Sequence, residues 1–153
     1  MPSGLLVSLT VVEAGRYHRW QIAKDIDSPC ADLSYSYTGA NTLAVTMHYS
    51  RVVDRPERDL VIWFTGVLAF RWDTDWSALL ELSESLPKCS SERWATSTFP
   101  LLTVDRSQWL LSYASRDPVE ALGRKHIVLV TLNGICELLA LPKVVATWVN
   151  ANS

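Results

Sequence analysis

The 153-residue chain carries 14 basic and 16 acidic side chains, a formal net charge of −2, and 48% hydrophobic residues. This composition excludes disorder over the whole length, which requires fewer apolar residues and a larger net charge. Charges of both signs are mixed along the chain without a basic stripe, so nucleic acid is not an expected ligand. The length fits one globular domain, residues 1–153.

Hydropathy and the number and spacing of cysteines indicate in which cellular compartment the protein is expected. The longest apolar run, residues 60–70, is shorter than the roughly 18–20 residues that a membrane helix needs. Residues 5–12 are apolar but interrupted by Ser8 and Thr10, unlike the core of a secretory leader. The three cysteines are widely spaced, with no Cys-x-x-Cys pair for zinc or redox chemistry. We expect a cytoplasmic protein that neither binds a metal or other cofactor nor crosses a membrane.

The pattern of apolar and polar residues predicts strands in the first third of the chain. Residues 5–12 and 17–23 form one possible hairpin, and residues 42–49 alternate as a half-buried strand does. Residues 25–40 are rich in Ser, Asp and Tyr and indicate a long connection.

The most apolar segment, residues 60–72, predicts one long central strand with a bulge or bend at Gly66. Asp73 and Asp75 are N-cap candidates for a helix over residues 76–86, which Pro87 ends.

Two capping signals follow in the last third of the chain. Asp105 and Gln108 have the spacing of a capping box and predict a helix start. Asp117 followed by Pro118 predicts the start of a second, very short helix. Residues 88–104 fit no single element, although residues 94–99 alternate as an edge strand does.

The C-terminal segments 126–132 and 135–141 flank Asn133 and Gly134, which predicts a hairpin with a two-residue type I′ turn. A last strand is expected over residues 144–149. Since hairpins dominate and the helices cluster, the predicted class is α+β. We expect a curved, mainly antiparallel sheet or a partly open barrel with two or three short helices.

One polar cluster is conceivable as an enzyme or ligand site. The serine-elbow, Walker, dinucleotide and His-Glu-x-x-His motifs are all missing. His48 and His126 could be neighbours in a sheet, with Glu137 as an acid-base or metal partner. Alternatively, the histidines are unrelated and Glu137 is exposed or forms a structural ion pair. The bases considered for that pair are Arg71, Arg124 and Lys125.

A second candidate site combines acids with tryptophans. Four acids and no base lie between Arg71 and Lys88. We define this acidic aromatic segment by Trp72, Asp73, Asp75, Trp76, Glu81 and Glu84. Aromatic side chains beside unneutralised carboxylates are typical of an interface that docks a basic partner. The alternative is a capped helix with a solvated acidic face, in which the first acids favour the helix dipole.

Two segments resemble a group of small uncharacterised bacterial proteins. Residues 60–71 read LVIWFTGVLAFR and residues 126–140 end in NGICELLA. In that group a strand of the form Phe-x-Gly-Val-x-Ala-Phe-Arg precedes a C-terminal hairpin that carries a Glu. The positions that match as architecture are Phe64, Gly66, Phe70 and Glu137. Some members resemble immunity proteins that accompany polymorphic or contact-dependent toxins.

This resemblance implies a cytoplasmic protein that blocks a toxin by direct contact, and the acidic aromatic segment favours a basic toxin domain as the partner. The sequence therefore supports two hypotheses. The first is a protein-binding domain that uses the acidic aromatic segment, and the second is a small enzyme or ligand-binding domain with a site near His48, His126 and Glu137.

Overall fold

A computed structural model describes residues 17–49, 58–74 and 86–151. The strands are β1 (Tyr17–Arg19), β2 (Leu33–Gly39), β3 (Thr42–Met47), β4 (Arg58–Phe64), β5 (Ala69–Asp73), β6 (Leu101–Val104), β7 (Lys125–Val130), β8 (Ile135–Ala140) and β9 (Val145–Asn150). The helices are α1 (Gln108–Arg116) and α2 (Pro118–Ala121), with a 3-10 turn at Glu92–Trp94. The strand predicted over residues 5–12 and all but the last residue of the helix predicted over 76–86 lie outside the described residues.

The described strands form two sheets. A five-stranded sheet has the order β1-β6-β7-β8-β5, and a four-stranded sheet has the order β2-β3-β4-β9. Every neighbouring pair is antiparallel. The predicted α+β class with antiparallel pairing is confirmed, but the strands form two separate sheets and do not close into a barrel.

The two sheets arise because the apolar run over residues 60–72 is divided at Gly66. The sequence predicts one strand there, whereas β4 ends at Phe64 and β5 begins at Ala69 in the other sheet. Gly66 has a φ of 59°, in the left-handed region that glycine adopts without steric cost. A Cβ at this position would lie 2.8 Å from Cγ of Leu141 and 2.9 Å from Nη2 of Arg124. The predicted bend is therefore a corner between sheets.

Hydrogen bonds attach this corner to both sheets. The N–H of Val67 donates to the carbonyl of Asn41, next to β3, at 3.0 Å. The N–H of Leu68 donates to the carbonyl of Leu139 in β8 at 2.8 Å. The polypeptide thus changes sheets within two residues.

Buried apolar side chains from both sheets form one core. In β3, Leu43, Val45 and Met47 are 0% exposed and the residues between them are partly exposed, which confirms the predicted half-buried strand. In β7 every residue after the first is buried, and the first of these, His126, packs against Trp109 of α1. Each fully buried Leu-sized side chain contributes about 1.5–3 kcal/mol to stability.

The connection predicted over residues 25–40 contains strand β2, so this prediction is wrong for residues 33–39. Only Leu33 of this strand is buried, and among the described strands β2 lies at the edge of its sheet. An apolar face is therefore missing from its sequence, and tyrosines alternate with serines there. Asn41, with a φ of 59°, makes the turn into β3.

The helix starts differ in detail from the capping signals. Ser107, and not Asp105, caps α1, since its Oγ accepts a hydrogen bond from the N–H of Leu110 at 3.1 Å. Asp105 instead lies 2.9 Å from the ring of His18. The cap predicted at Asp117 is confirmed, because its side chain accepts from the N–H of the third helical residue of α2.

The remaining elements follow β5. Residues 94–99 are not a strand and contribute one isolated bridge, between Lys88 and Thr98, while β6 begins only at Leu101. The last strand, β9, confirms the one expected over residues 144–149.

The C-terminal hairpin is confirmed, but its type I′ turn is not. Strand β7 ends at Val130 and β8 starts at Ile135, and neither Asn133 nor Gly134 has the positive φ of a type I′ turn. The hydroxyl of Thr131 accepts from the N–H groups of Asn133 and Gly134 at 3.2 and 3.0 Å and so closes a longer loop.

Gly134 allows the end of β5 to pack closely against the loop between β7 and β8. Its hypothetical Cβ would lie 2.7 Å from the carbonyl oxygen of Asp73 and 2.7 Å from the Trp72 ring. We expect Gly134→Ala to lower the free energy of unfolding by about 1–3 kcal/mol, because β5 must shift to admit a methyl group. Urea denaturation measures this loss. Gly39→Ala is the control, since no atom lies within 4 Å of its hypothetical Cβ, and equal losses in both variants would contradict the packing described.

Candidate functional sites: two hydrogen-bond chains and an aromatic edge

The structure brings together two of the three residues proposed for a polar site. His126 Nε2 and Glu137 Oε1 are 2.9 Å apart on β7 and β8. His48 follows β3 in the other sheet, and its two ring nitrogens contact Ser34 and Asp59. Because both nitrogens of His48 are already occupied, it does not join the His126–Glu137 pair.

The first hydrogen-bond chain runs from α1 to β5. The Ser107 hydroxyl and Nδ1 of His126 are 2.7 Å apart, and Nε2 of the same ring donates to Glu137. The other carboxylate oxygen accepts from Nε of Arg71 at 2.7 Å. Arg71 is thus the base that Glu137 pairs with, and Arg124 instead donates to backbone carbonyls. The interpretation of Glu137 as a structural ion pair agrees with this geometry.

Aromatic packing covers the inner part of this chain, at Ser107 and His126, while the side chain of Arg71 is 54% exposed. The guanidinium of Arg71 lies 4.1 Å from the ring centroid of Trp109, and the His126 ring meets the same indole edge-on at 5.3 Å. Burial raises the pKa of Glu137, but the hydrogen bonds and charges of His126 and Arg71 outweigh burial and hold that pKa below its usual value. Ser107 is 3% exposed. Its hydroxyl is therefore out of reach of a substrate, and the chain fastens the start of α1 to the sheet.

The second hydrogen-bond chain lies on the outer face of the four-stranded sheet. Side chains alternate along β3, so His48 points away from the side that buries Val45 and Met47. Oγ of Ser34 is 3.1 Å from Nε2 of His48, and Nδ1 of the same ring is 3.0 Å from Oδ2 of Asp59. Ser34 is exposed, whereas Asp59 is only 7% exposed.

The sequence did not indicate this second chain, because its members come from three strands. Ser34 lies opposite Thr46, and Asp59 lies one residue beyond the Met47–Leu60 pair. Only the cross-strand register brings them to His48. The available signal was the placement of His48 on the polar face of its strand.

The third candidate is the place where β2 and β5, each the outermost described strand of its sheet, come into contact. The rings of Tyr35 and Phe70 are 4.4 Å apart and bridge the two sheets. Tyr35 and Tyr37 are 48% and 59% exposed. We call the set Tyr35, Tyr37, Phe70 and Trp72 the aromatic edge.

The acidic aromatic segment begins at this edge. Its first two residues, Trp72 and Asp73, end β5, where the Trp72 ring lies over Gly134 and Asp73 is exposed. The other members, Asp75, Trp76, Glu81 and Glu84, lie outside the described residues.

The structure also contains a pocket of about 90 Å³. Its lining residues are Pro29, Cys30, Ser97, Thr98, Val130, Thr131 and Leu132. Burial raises the pKa of Cys30 to about 12, so this cysteine is a thiol and not a reactive thiolate.

Comparison with known proteins yields no relatives: no family model, curated protein or solved structure matches the chain. No described helix has the length and apolarity needed to cross a membrane. Within residues 17–49, 58–74 and 86–151, no group of three or more His, Cys, Asp or Glu side chains is arranged to hold a metal ion.

The lowered pKa of Glu137 makes stability depend on pH. A carboxyl group with a depressed pKa stabilises the folded state above its unfolded pKa, and this contribution is lost as the pH falls through the folded pKa. We expect Glu137→Gln to lower the free energy of unfolding by about 1–3 kcal/mol at pH 7. This loss of unfolding free energy should become smaller at pH values below the ordinary glutamate pKa of about 4.3.

Urea denaturation of both proteins between pH 3 and pH 8 measures this deficit. Glu120→Gln is the control, because Glu120 is exposed and its change should stay within about 0.5 kcal/mol. A deficit for Glu137→Gln that is the same at pH 3 and pH 7 would show that its charge does not stabilise the fold.

Proposed function

We propose that this chain is a protein-binding domain and that the aromatic edge is its contact surface. The observation that carries the proposal is the ring contact between Tyr35 of β2 and Phe70 of β5, beside the exposed Tyr37 on β2. Within the described part of the chain, neither β2 nor β5 has a neighbouring strand on its outer side. Both present backbone N–H and C=O groups that a partner strand can pair with.

The side chains at this edge suit protein recognition. Tyrosine and tryptophan dominate the binding energy of interfaces, because they supply a large apolar surface and a polar group with few rotatable bonds. Tyr37 has more than half of its surface exposed, so it adds little to the core. Its exposure supports a role in contact with another protein.

Charge favours a basic partner. Asp73 is exposed at the end of β5, and the sequence directly after it adds three acids and no base before Lys88. Complementary charges accelerate association and select among partners. Together with the resemblance to immunity proteins, this leads us to propose a basic toxin domain as the partner and the cytoplasm as the site of binding.

The pair His126 and Glu137 supports a catalytic function less well. A nucleophile must reach its substrate, and Ser107, the serine hydrogen-bonded to His126, is 3% exposed. The hydrogen bonds from Ser107 through His126 and Glu137 to Arg71 connect the start of α1 with β7, β8 and β5, which is a structural role.

Isothermal titration of the full chain with toxin-like proteins encoded by adjacent genes tests the proposal. We expect Tyr37→Ser to weaken binding by about 2 kcal/mol, roughly 30-fold, as loss of an aromatic hot spot does. Val145→Ser is the matched control: Val145 is 62% exposed, close to the 59% of Tyr37, but lies on β9 at the opposite edge of the same sheet.

Binding by the wild type and Val145→Ser, with loss in Tyr37→Ser, would support the aromatic edge as the interface. Unchanged affinity in Tyr37→Ser would reject this surface, and failure of every adjacent gene product to bind would reject the immunity function.

A further inference from the structure

The hydrogen-bond chain Ser34–His48–Asp59 connects the same atoms as the Ser-His-Asp arrangement that activates a nucleophilic serine. The buried carboxylate of Asp59 accepts from Nδ1 of His48, since a carboxylate offers only acceptors. This hydrogen bond fixes the tautomer in which the lone pair of Nε2 is free to accept a proton. Nε2 is the nitrogen that faces the Ser34 hydroxyl, at 3.1 Å.

Exposure separates this chain from the one beneath α1. There, Ser107 is buried and faces Nδ1, and its hydroxyl caps a helix. Ser34 is exposed, and the side chains of His48 and Asp59 are 15% and 10% exposed. The hydroxyl is therefore open to solvent, while the base and its orienting carboxylate are shielded.

We propose that Ser34 is a nucleophile that His48 activates, with carboxylic esters of apolar acyl groups as the substrate class. This proposal is independent of the protein-binding function. Asp59 acts through His48 as a positioning residue.

The acyl preference follows from the outer face of the sheet. The register places Ser34 beside Thr46 in one cross-strand row, and Ala44, Trp63 and Val145 in the next. Trp63 and Val145 are 36% and 62% exposed and form an apolar platform. Strand spacing and rise put Trp63 on the order of 12 Å from Ser34, within reach of a medium-length acyl chain.

The reaction would proceed in two steps. Oγ of Ser34 bonds to the ester carbonyl carbon as its proton passes to Nε2 of His48, and the carbon–oxygen bond to the alcohol breaks as His48 protonates the leaving oxygen. In the second step His48 takes a proton from water, the hydroxide attacks the acyl-serine, and His48 returns the proton to Ser34 as the acid leaves. Water is the only co-reactant.

A biotinylated alkyl fluorophosphonate is the probe for the nucleophile. Attack by Ser34 forms a phosphorus–oxygen bond, expels fluoride and passes the proton to His48. Peptide mapping of the labelled full chain should locate one adduct at Ser34 and none at Ser107. We expect Ser34→Ala to abolish the adduct and His48→Gln to slow labelling at least about 100-fold. Ser36→Ala is the matched control, since Ser36 is exposed on the same strand two residues away, and it should label as the wild type does.

A rescue experiment with a conservative variant tests the positioning role of Asp59. Labelling should fall in Asp59→Asn and recover in part in Asp59→Glu, while circular dichroism checks that both variants are folded. Absence of an adduct at Ser34, or an equal labelling rate in folded His48→Gln, would overturn the proposal.

The substrate class is tested with p-nitrophenyl octanoate and p-nitrophenyl acetate. We expect faster turnover of the octanoyl ester and loss of that preference in Trp63→Ala. Equal turnover of both esters by the wild type, or an unchanged preference in Trp63→Ala, would reject the apolar acyl group as the determinant.

Discussion

The left-handed corner at Gly66 is the constraint on which the arrangement of the two sheets depends. Any side chain there would meet Leu141 and the guanidinium of Arg124, and a φ of 59° disfavours most residues other than glycine. The corner divides an apolar run that is long enough for one central strand. The N–H groups of the next two residues, Val67 and Leu68, bond to Asn41 beside β3 and to Leu139 in β8, so that β4 and β5 lie in different sheets.

This division has consequences for every candidate site. It places β5 in the five-stranded sheet, where the ring of Phe70 contacts Tyr35 of the other sheet and so forms part of the aromatic edge. It also separates the two histidines, so that each forms its own chain with a serine and an acid. The serine of the chain containing His126, Ser107, is buried at the start of α1, whereas the serine of the chain containing His48, Ser34, is exposed. Burial, more than residue type, decides what each chain can do.

Much of this structure could be predicted from local patterns. The alternation in β3, the C-terminal hairpin and the cap at Asp117 depend on neighbours in sequence, and the structure confirms them. The sequence does not predict β2, because only Leu33 of this strand is buried, and it predicts a bend at Gly66 and not a corner because a change of sheet leaves no periodic signal. The pairing of Glu137 with Arg71 was among the expected alternatives, but the neighbours of His48 required the register between three strands.

The central structural claim is that the edges of β2 and β5 meet on one side of the molecule. A nuclear Overhauser spectrum of the full chain with protonated Tyr and Phe in a deuterated background tests it most directly. The structure predicts a strong cross-peak between the rings of Tyr35 and Phe70, whose centroids are 4.4 Å apart, and its loss in Phe70→Leu. A Tyr35 ring with no contact to Phe70 would show that the two edges do not meet, and the proposed binding surface would then not exist.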